Sequence, residues 1–109
     1  MTLIMTRSTD VLPAYRDYLD ACNARDWFRA LSFVHDPVRV QGVVMTAAQH
    51  VGGIARLTVE HPGFVWTVGE TVVEGGRLAV RLRTPLGQDY AIYSWRDGRI
   101  VEFWGRGTS

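Results

Sequence analysis

Lysine is absent from this 109-residue chain: all 12 basic residues are arginines, set against 11 acidic ones for a formal charge of +1. The arginines run from Arg7 to Arg106 without clustering. A nucleic-acid binder needs a basic patch or stripe to displace phosphate counterions, and that footprint is missing. No apolar run approaches the roughly 18 residues that a membrane span demands. The opening, MTLIMTRSTD, lacks the charged start, apolar run and small-residue cleavage site of a secretory signal. Cysteine is nearly absent too: Cys22 stands alone, so no internal disulfide can form, and the cytoplasm is the expected compartment. His35, His50 and His61 are too widely spaced to make a metal-binding pattern. No repeat, low-complexity tract or linker divides the chain, and 47% hydrophobic content is enough for one core, so residues 1–109 are expected to form a single domain.

What is present is concentrated in residues 78–105. Leu78, Val80 and Leu82 alternate with Ala79, Arg81 and Arg83, the period of a strand with one dry face. A second strand alternates Tyr90, Ile92 and Ser94 with Asp89, Ala91, Tyr93 and Trp95. A third sets Ile100, Glu102 and Trp104 against Val101, Phe103 and Gly105. Asp97-Gly98 between the last two is a strong hairpin signal, because both residues tolerate positive φ. Apolar residues on both faces require cover on both, helices on one and a second subunit on the other.

Upstream, residues 1–8 read as a loose lead-in. Thr9 or Asp10 is placed to cap a helix with Pro13 in its first turn, and Val11, Leu12, Tyr15, Tyr18, Leu19 and Cys22 recur at helical spacing. Asp26 caps a shorter helix whose Trp27, Leu31 and Val34 share a face, and Asp36-Pro37 ends it. Val38, Val40, Val43 and Val44 suggest a strand kinked at Gly42. Thr46 and Gln49 match a capping box, so a brief helix follows, broken or bent at Gly52-Gly53 and stopped by His61-Pro62-Gly63. Residues 64–74 read as a long strand and Gly75-Gly76 as a turn. The order is α+β, helices laid across a curved, mostly antiparallel sheet.

The phrases YLDACNARDW, LSFVHDPVRVQG, PGFVWTVGETVVEGGRLAVRLRT and YSWRDGRIVEFWG, in this order from Asp10 to Gly105, resemble the SnoaL-like polyketide cyclases of the nuclear-transport-factor-2-like superfamily. The resemblance implies a conical α+β barrel with a pocket between helices and sheet, and a homodimer formed through the outer sheet face. It also implies functional positions. Cyclases of this kind use a histidine and an aspartate that align with Ala91 and Gly105. Related steroid isomerases use a tyrosine matching Tyr18, a carboxylate base aligned with Gln41, and an aspartate again at Ala91. The tyrosine is kept, but glutamine cannot act as a general base and alanine cannot donate a proton.

Candidates follow from these positions. Tyr18, with Tyr15 one turn earlier, can offer a hydroxyl to a ligand oxygen, or can be ordinary core. Asp89 and Tyr93 share strand parity with Ala91 and face wherever it faces; a carboxylate among aromatic rings is suited to proton transfer, whereas at a strand end it is merely solvated. His50, behind the capping box, is the histidine best placed to act as a base, while His35 and His61 read as structural and as a turn residue. Trp66, Tyr93 and Phe103 supply flat walls for a ring-shaped ligand, and Gln41 can bond a ligand oxygen. Arg81 and Arg83 belong on the outer face. Two functions remain: a cofactor-independent cyclase, isomerase or hydratase acting on a small apolar cyclic metabolite, or a non-catalytic small-molecule binder or accessory dimer.

Overall fold

The amphipathic pattern from Val11 to Cys22 is realised as the buried side of α1 (Thr6–Asn23) in the computed structural model, which describes residues 6–106. Part of the expected lead-in, residues 1–5, lies outside the described residues. The helix begins before the expected caps, so Thr9 and Asp10 lie within it and Pro13 falls in its interior rather than its first turn. Proline there removes one N–H from the helical ladder, and the turns on either side propagate past it.

Asp26 accepts from the Arg29 amide and caps α2 (Trp27–Leu31) as expected, but this helix stops before Val34. The Phe33 carbonyl accepts from the Ile100 amide at 2.8 Å, which draws the chain into the sheet, and β1 (Val34–Val40) starts at once. Asp36-Pro37 therefore sits inside a strand. Gln41 (φ 52°) and Gly42 (φ 83°) form a two-residue hairpin into β2 (Val43–Met45), where a kink in one strand was expected. The capping box of Thr46 and Gln49 opens α3 (Ala47–Glu60), which passes through Gly52-Gly53 without a break and ends at His61. The box and the buried face of Ala47, His50, Val51 and Thr58 outweigh the roughly 1 kcal/mol that each glycine costs a helix.

The remaining strands are β3 (Thr67–Glu74), β4 (Arg77–Thr84), β5 (Gly87–Arg96) and β6 (Arg99–Arg106). β3 starts three residues later than the sequence suggests. The Asn23 side chain accepts from the Trp66 amide and donates to its carbonyl, each at 2.9 Å, which removes that residue from strand pairing. The sheet order is β2-β1-β6-β5-β4-β3, open at both ends, with a parallel β1–β6 pair among antiparallel neighbours. A bulge in the β5–β6 ladder moves Ile100 from the face of Glu102 and Trp104 to the buried one. Further irregularities interrupt the β1–β6 and β3–β4 ladders. The three helices lie on one face: α1 against β3 and β4, α3 against β1, and α2 against both helices. Leu78, Val80, Leu82, Ala91, Tyr93, Trp95 and Ile100 point into that layer. No described helix is long and apolar enough to cross a membrane.

Candidate functional site

Between the helices and the inner sheet face lies a cavity of about 260 Å3. α1 contributes Tyr18, Leu19 and Cys22, and α3 contributes His50, Ile54 and Leu57. The sheet side supplies Leu82, Asp89, Ala91, Tyr93, Phe103 and Gly105, while Gln41 and Trp66 come from the turn after β1 and the segment before β3. Tyr18, His50, Asp89, Gln41, Trp66, Tyr93 and Phe103 thus meet at one cavity. Tyr15 does not line it. It is fully buried behind the wall, its ring 4.8 Å from that of Tyr93.

The deep end is aromatic and uncharged. Burial first, then Cys22 and Tyr93, hold the Tyr18 phenol well above its ordinary value. Burial likewise raises Tyr93, opposed by the neighbouring Tyr15 phenol and reinforced by Cys22 and Asp89. Tyr15 is raised as well, chiefly by burial and next by Tyr93. The Cys22 thiol is pushed up to about 12 by burial, against smaller lowering influences from Tyr18 and Arg25. All four groups are therefore protonated at neutral pH and can act there only as neutral donors or acceptors. His50 is shifted the other way: burial lowers it, which favours the neutral imidazole. Its Nε2 is buried with no hydrogen-bond partner among the described residues, as are the Tyr15 hydroxyl and Trp95 Nε1. The His50 ring lies 5.6 Å from Phe103, which lies 5.1 Å from Tyr93.

Phe103 also covers Gly105. A Cβ at Gly105 would lie 2.4 Å from Cζ of Phe103, so the ring occupies the room that a side chain at position 105 would need. Ala91 pairs with Gly105 across the sheet. Ala91 thus offers the cavity only a methyl group, and the phenyl ring of Phe103 fills the room at position 105. The exposed end of the cavity is formed by Gln41 and Tyr90 with half-buried Asp89. Gln41 donates its side-chain amide to the Gly105 carbonyl at 2.7 Å, which holds the amide in place and leaves its own carbonyl as the acceptor.

The NARD phrase is a clamp whose role was not evident from sequence. Arg25, at φ 62°, donates to the Pro62 carbonyl at 3.0 Å and the Phe64 carbonyl at 2.6 Å, beside the Asn23 bonds to Trp66. Together they tie the end of α1 to the segment carrying Trp66. The positive φ at Arg25 was the missing signal, since only backbone geometry reveals it. His35 bonds the Pro37 carbonyl at 2.9 Å, and His61 caps α3 in solvent. Arg81 pairs with Glu70 on the outer face, while the Arg106 side chain lies outside the described residues. Among the described residues no cluster of three His, Cys, Asp or Glu side chains is arranged to hold a metal ion.

A larger depression, about 450 Å3, lies on the opposite sheet face against Val72, Ala79, Tyr90, Ile92 and Trp104. No described helix lines it, and neither Tyr18 nor His50 reaches it, so the smaller inner cavity is the candidate site.

The sequence matches no protein-family profile and no curated protein. Its structure is similar to many solved ones. A SnoaL-like polyketide cyclase from Agrobacterium tumefaciens superposes with a TM-score of 0.82 at 18% identity, over 88% of this chain and 89% of that one. A candidate ketosteroid isomerase from Kribbella flavida gives 0.75 at 22% identity, over 93% and 79%. A SnoaL-like protein of unknown function from Burkholderia thailandensis gives 0.79 at 16%, over 93% and 97%. The chain shares its fold with these SnoaL-like structures and with a nuclear-transport-factor-2-like one.

Proposed function

We propose that the chain binds a small, largely apolar cyclic metabolite in the inner cavity and acts on it by cofactor-independent proton transfer, in the manner of an isomerase, cyclase or hydratase. The observation that carries this reading is the meeting of Tyr18, His50, Asp89, Gln41, Trp66, Tyr93 and Phe103 around one cavity. An apolar cavity of about 150 Å3 holds one benzene ring. At about 260 Å3 the site suits one or two fused rings. Tyr18 donates to a ligand oxygen, and neutral His50 accepts a proton at Nε2. Asp89 returns or relays the proton at the open end, and Gln41 positions the ligand.

A cytoplasmic, homodimeric protein fits the same reading. The lone, buried Cys22 and the half-exposed Tyr90, Ile92 and Trp104 on the outer sheet face support it. Sedimentation equilibrium is expected to give twice the 12.3 kDa chain mass, and a monomer would remove the dimer.

A non-catalytic binder is favoured by one observation: Ala91 and the Phe103-covered Gly105 leave no acid at the cyclase positions. Beta-tetralone, a two-ring ketone with an exchangeable α-proton, separates the readings by NMR in heavy water. His50 removes that proton while Tyr18 donates to the forming enolate oxygen, and a deuteron returns to carbon. Exchange is expected to be accelerated, to disappear in His50→Gln, and to fall roughly a hundredfold in Tyr18→Phe. Binding without accelerated exchange decides for the non-catalytic reading. Absence of binding contradicts both.

A further inference from the structure

The charges on the described residues that line the inner cavity are one-sided. Among its described lining residues the only formally charged side chain at neutral pH is Asp89, at the open end beside Gln41 and Tyr90. Tyr18, Tyr93 and Cys22 are held in their neutral, protonated forms, and His50 in its neutral one. No arginine lines the cavity among the described residues, and the chain has no lysine. Arg25, whose charge reaches the Cys22 thiol, directs its guanidinium to the carbonyls of Cys22, Pro62 and Phe64 instead. An anionic ligand entering here loses hydration, meets no positive charge among the described lining side chains and passes a carboxylate. A cationic one gains that carboxylate, and aromatic rings attract cations as well.

Resting on the cavity being the ligand site, we infer that it selects by charge: its ligand is a one- or two-ring compound bearing a protonated amine, anchored to Asp89, and ring carboxylates are rejected. The ring lies among Tyr18, Trp66, Tyr93 and Phe103, with the ammonium group at the Gln41–Asp89–Tyr90 end. The Gln41 carbonyl, held by the bond of its amide to Gly105, is the second acceptor at that end. Phenols deeper in the cavity stay available to a neutral oxygen on the far side of the ring.

The test titrates the protein at neutral pH and low salt with three naphthalene probes differing in one substituent: naphthylmethylamine, naphthylmethanol and naphthoate. The ammonium probe is expected to bind at least about tenfold more tightly than naphthoate, with the alcohol between them. In Asp89→Asn the ammonium probe should weaken about tenfold and approach the alcohol. Added salt should narrow the spread in the wild-type protein but not in the variant. Naphthoate binding as tightly as the ammonium probe overturns the inference while leaving the cavity as the ligand site. So does an Asp89→Asn variant that keeps the wild-type preference. Failure of all three probes to bind removes both the inference and the site on which it rests.

Discussion

The two faces of the β4–β5–β6 meander are built from similar residues and behave differently. The inner face carries Leu78, Val80, Leu82, Ala91, Tyr93, Trp95 and Ile100, all buried under helices. The outer face carries Tyr90, Ile92 and Trp104, which remain 50%, 45% and 44% exposed. Aromatic content therefore does not separate the faces; cover does. Under the helices, rings enclose a small cavity where titratable groups are forced into neutral forms. On the outside, rings border a shallow depression crossed by the Glu70–Arg81 pair. One face encloses a small cavity, and the other is open to solvent.

The contrast is broken most directly by truncating one residue on each face. Leu78→Ala should lose about 2–5 kcal/mol in denaturant unfolding, because the buried layer around it fills the void only in part. Ile92→Ala should cost under about 1 kcal/mol at concentrations where the chain is monomeric, since its side chain is already half in water. Equal losses would show that the outer face is as structurally committed as the inner one.

A smaller effect is expected where the cavity wall is tightest. Gly105→Ala places a methyl 2.4 Å from the Phe103 ring, so the ring must move, at a cost of about 1–3 kcal/mol. Phe103→Leu in the same background should recover part of that loss, because it clears the ring from the new methyl. If Gly105→Ala is neutral in denaturant unfolding, Phe103 is free to leave, and the cavity has a movable wall.

Much of this arrangement is legible in sequence where local rules act alone. Asp97-Gly98, Gly75-Gly76 and the Thr46–Gln49 box each form as read, because their geometry depends on a few consecutive residues. The antiparallel pairing of residues 78–83 with 88–95 follows from the same alternation. Readings fail where a distant group decides. Asn23 removes Trp66 from β3, the Phe33–Ile100 bond pulls Val34 out of α2, and a bulge sends Ile100 inward. At the site, strand parity suffices to put Asp89 and Tyr93 beside Ala91. Tyr15 shares the buried stripe of Tyr18 yet stops behind Tyr93, a difference of packing depth that helical spacing does not encode. The Phe103 ring over Gly105 is likewise a rotamer choice, invisible in the alternation of β6.

The smallest expected effect is a pH dependence confined to the inner face. Burial lowers the His50 pKa in the folded chain, so on acidification the unfolded chain takes up this proton first, beginning near its ordinary value of about 6.5. The stability linked to His50 is thus present above about pH 6.5 and is lost as pH falls through the folded value. Denaturant midpoints measured from neutral to mildly acid pH should fall more steeply for the wild-type protein than for His50→Gln. Parallel slopes would mean that the imidazole reaches water.

The central claim, that the covered face and not the open one receives the ligand, is tested most directly by NMR. Amide shifts are followed while naphthylmethanol is added to the labelled protein. The expected result is a saturable change at Tyr18, Leu19, His50, Ile54, Asp89 and Phe103, with Val72, Ala79 and Ile92 little moved. Saturable changes confined to Val72, Ala79 and Ile92 would contradict the account, because the ligand would then occupy the outer depression.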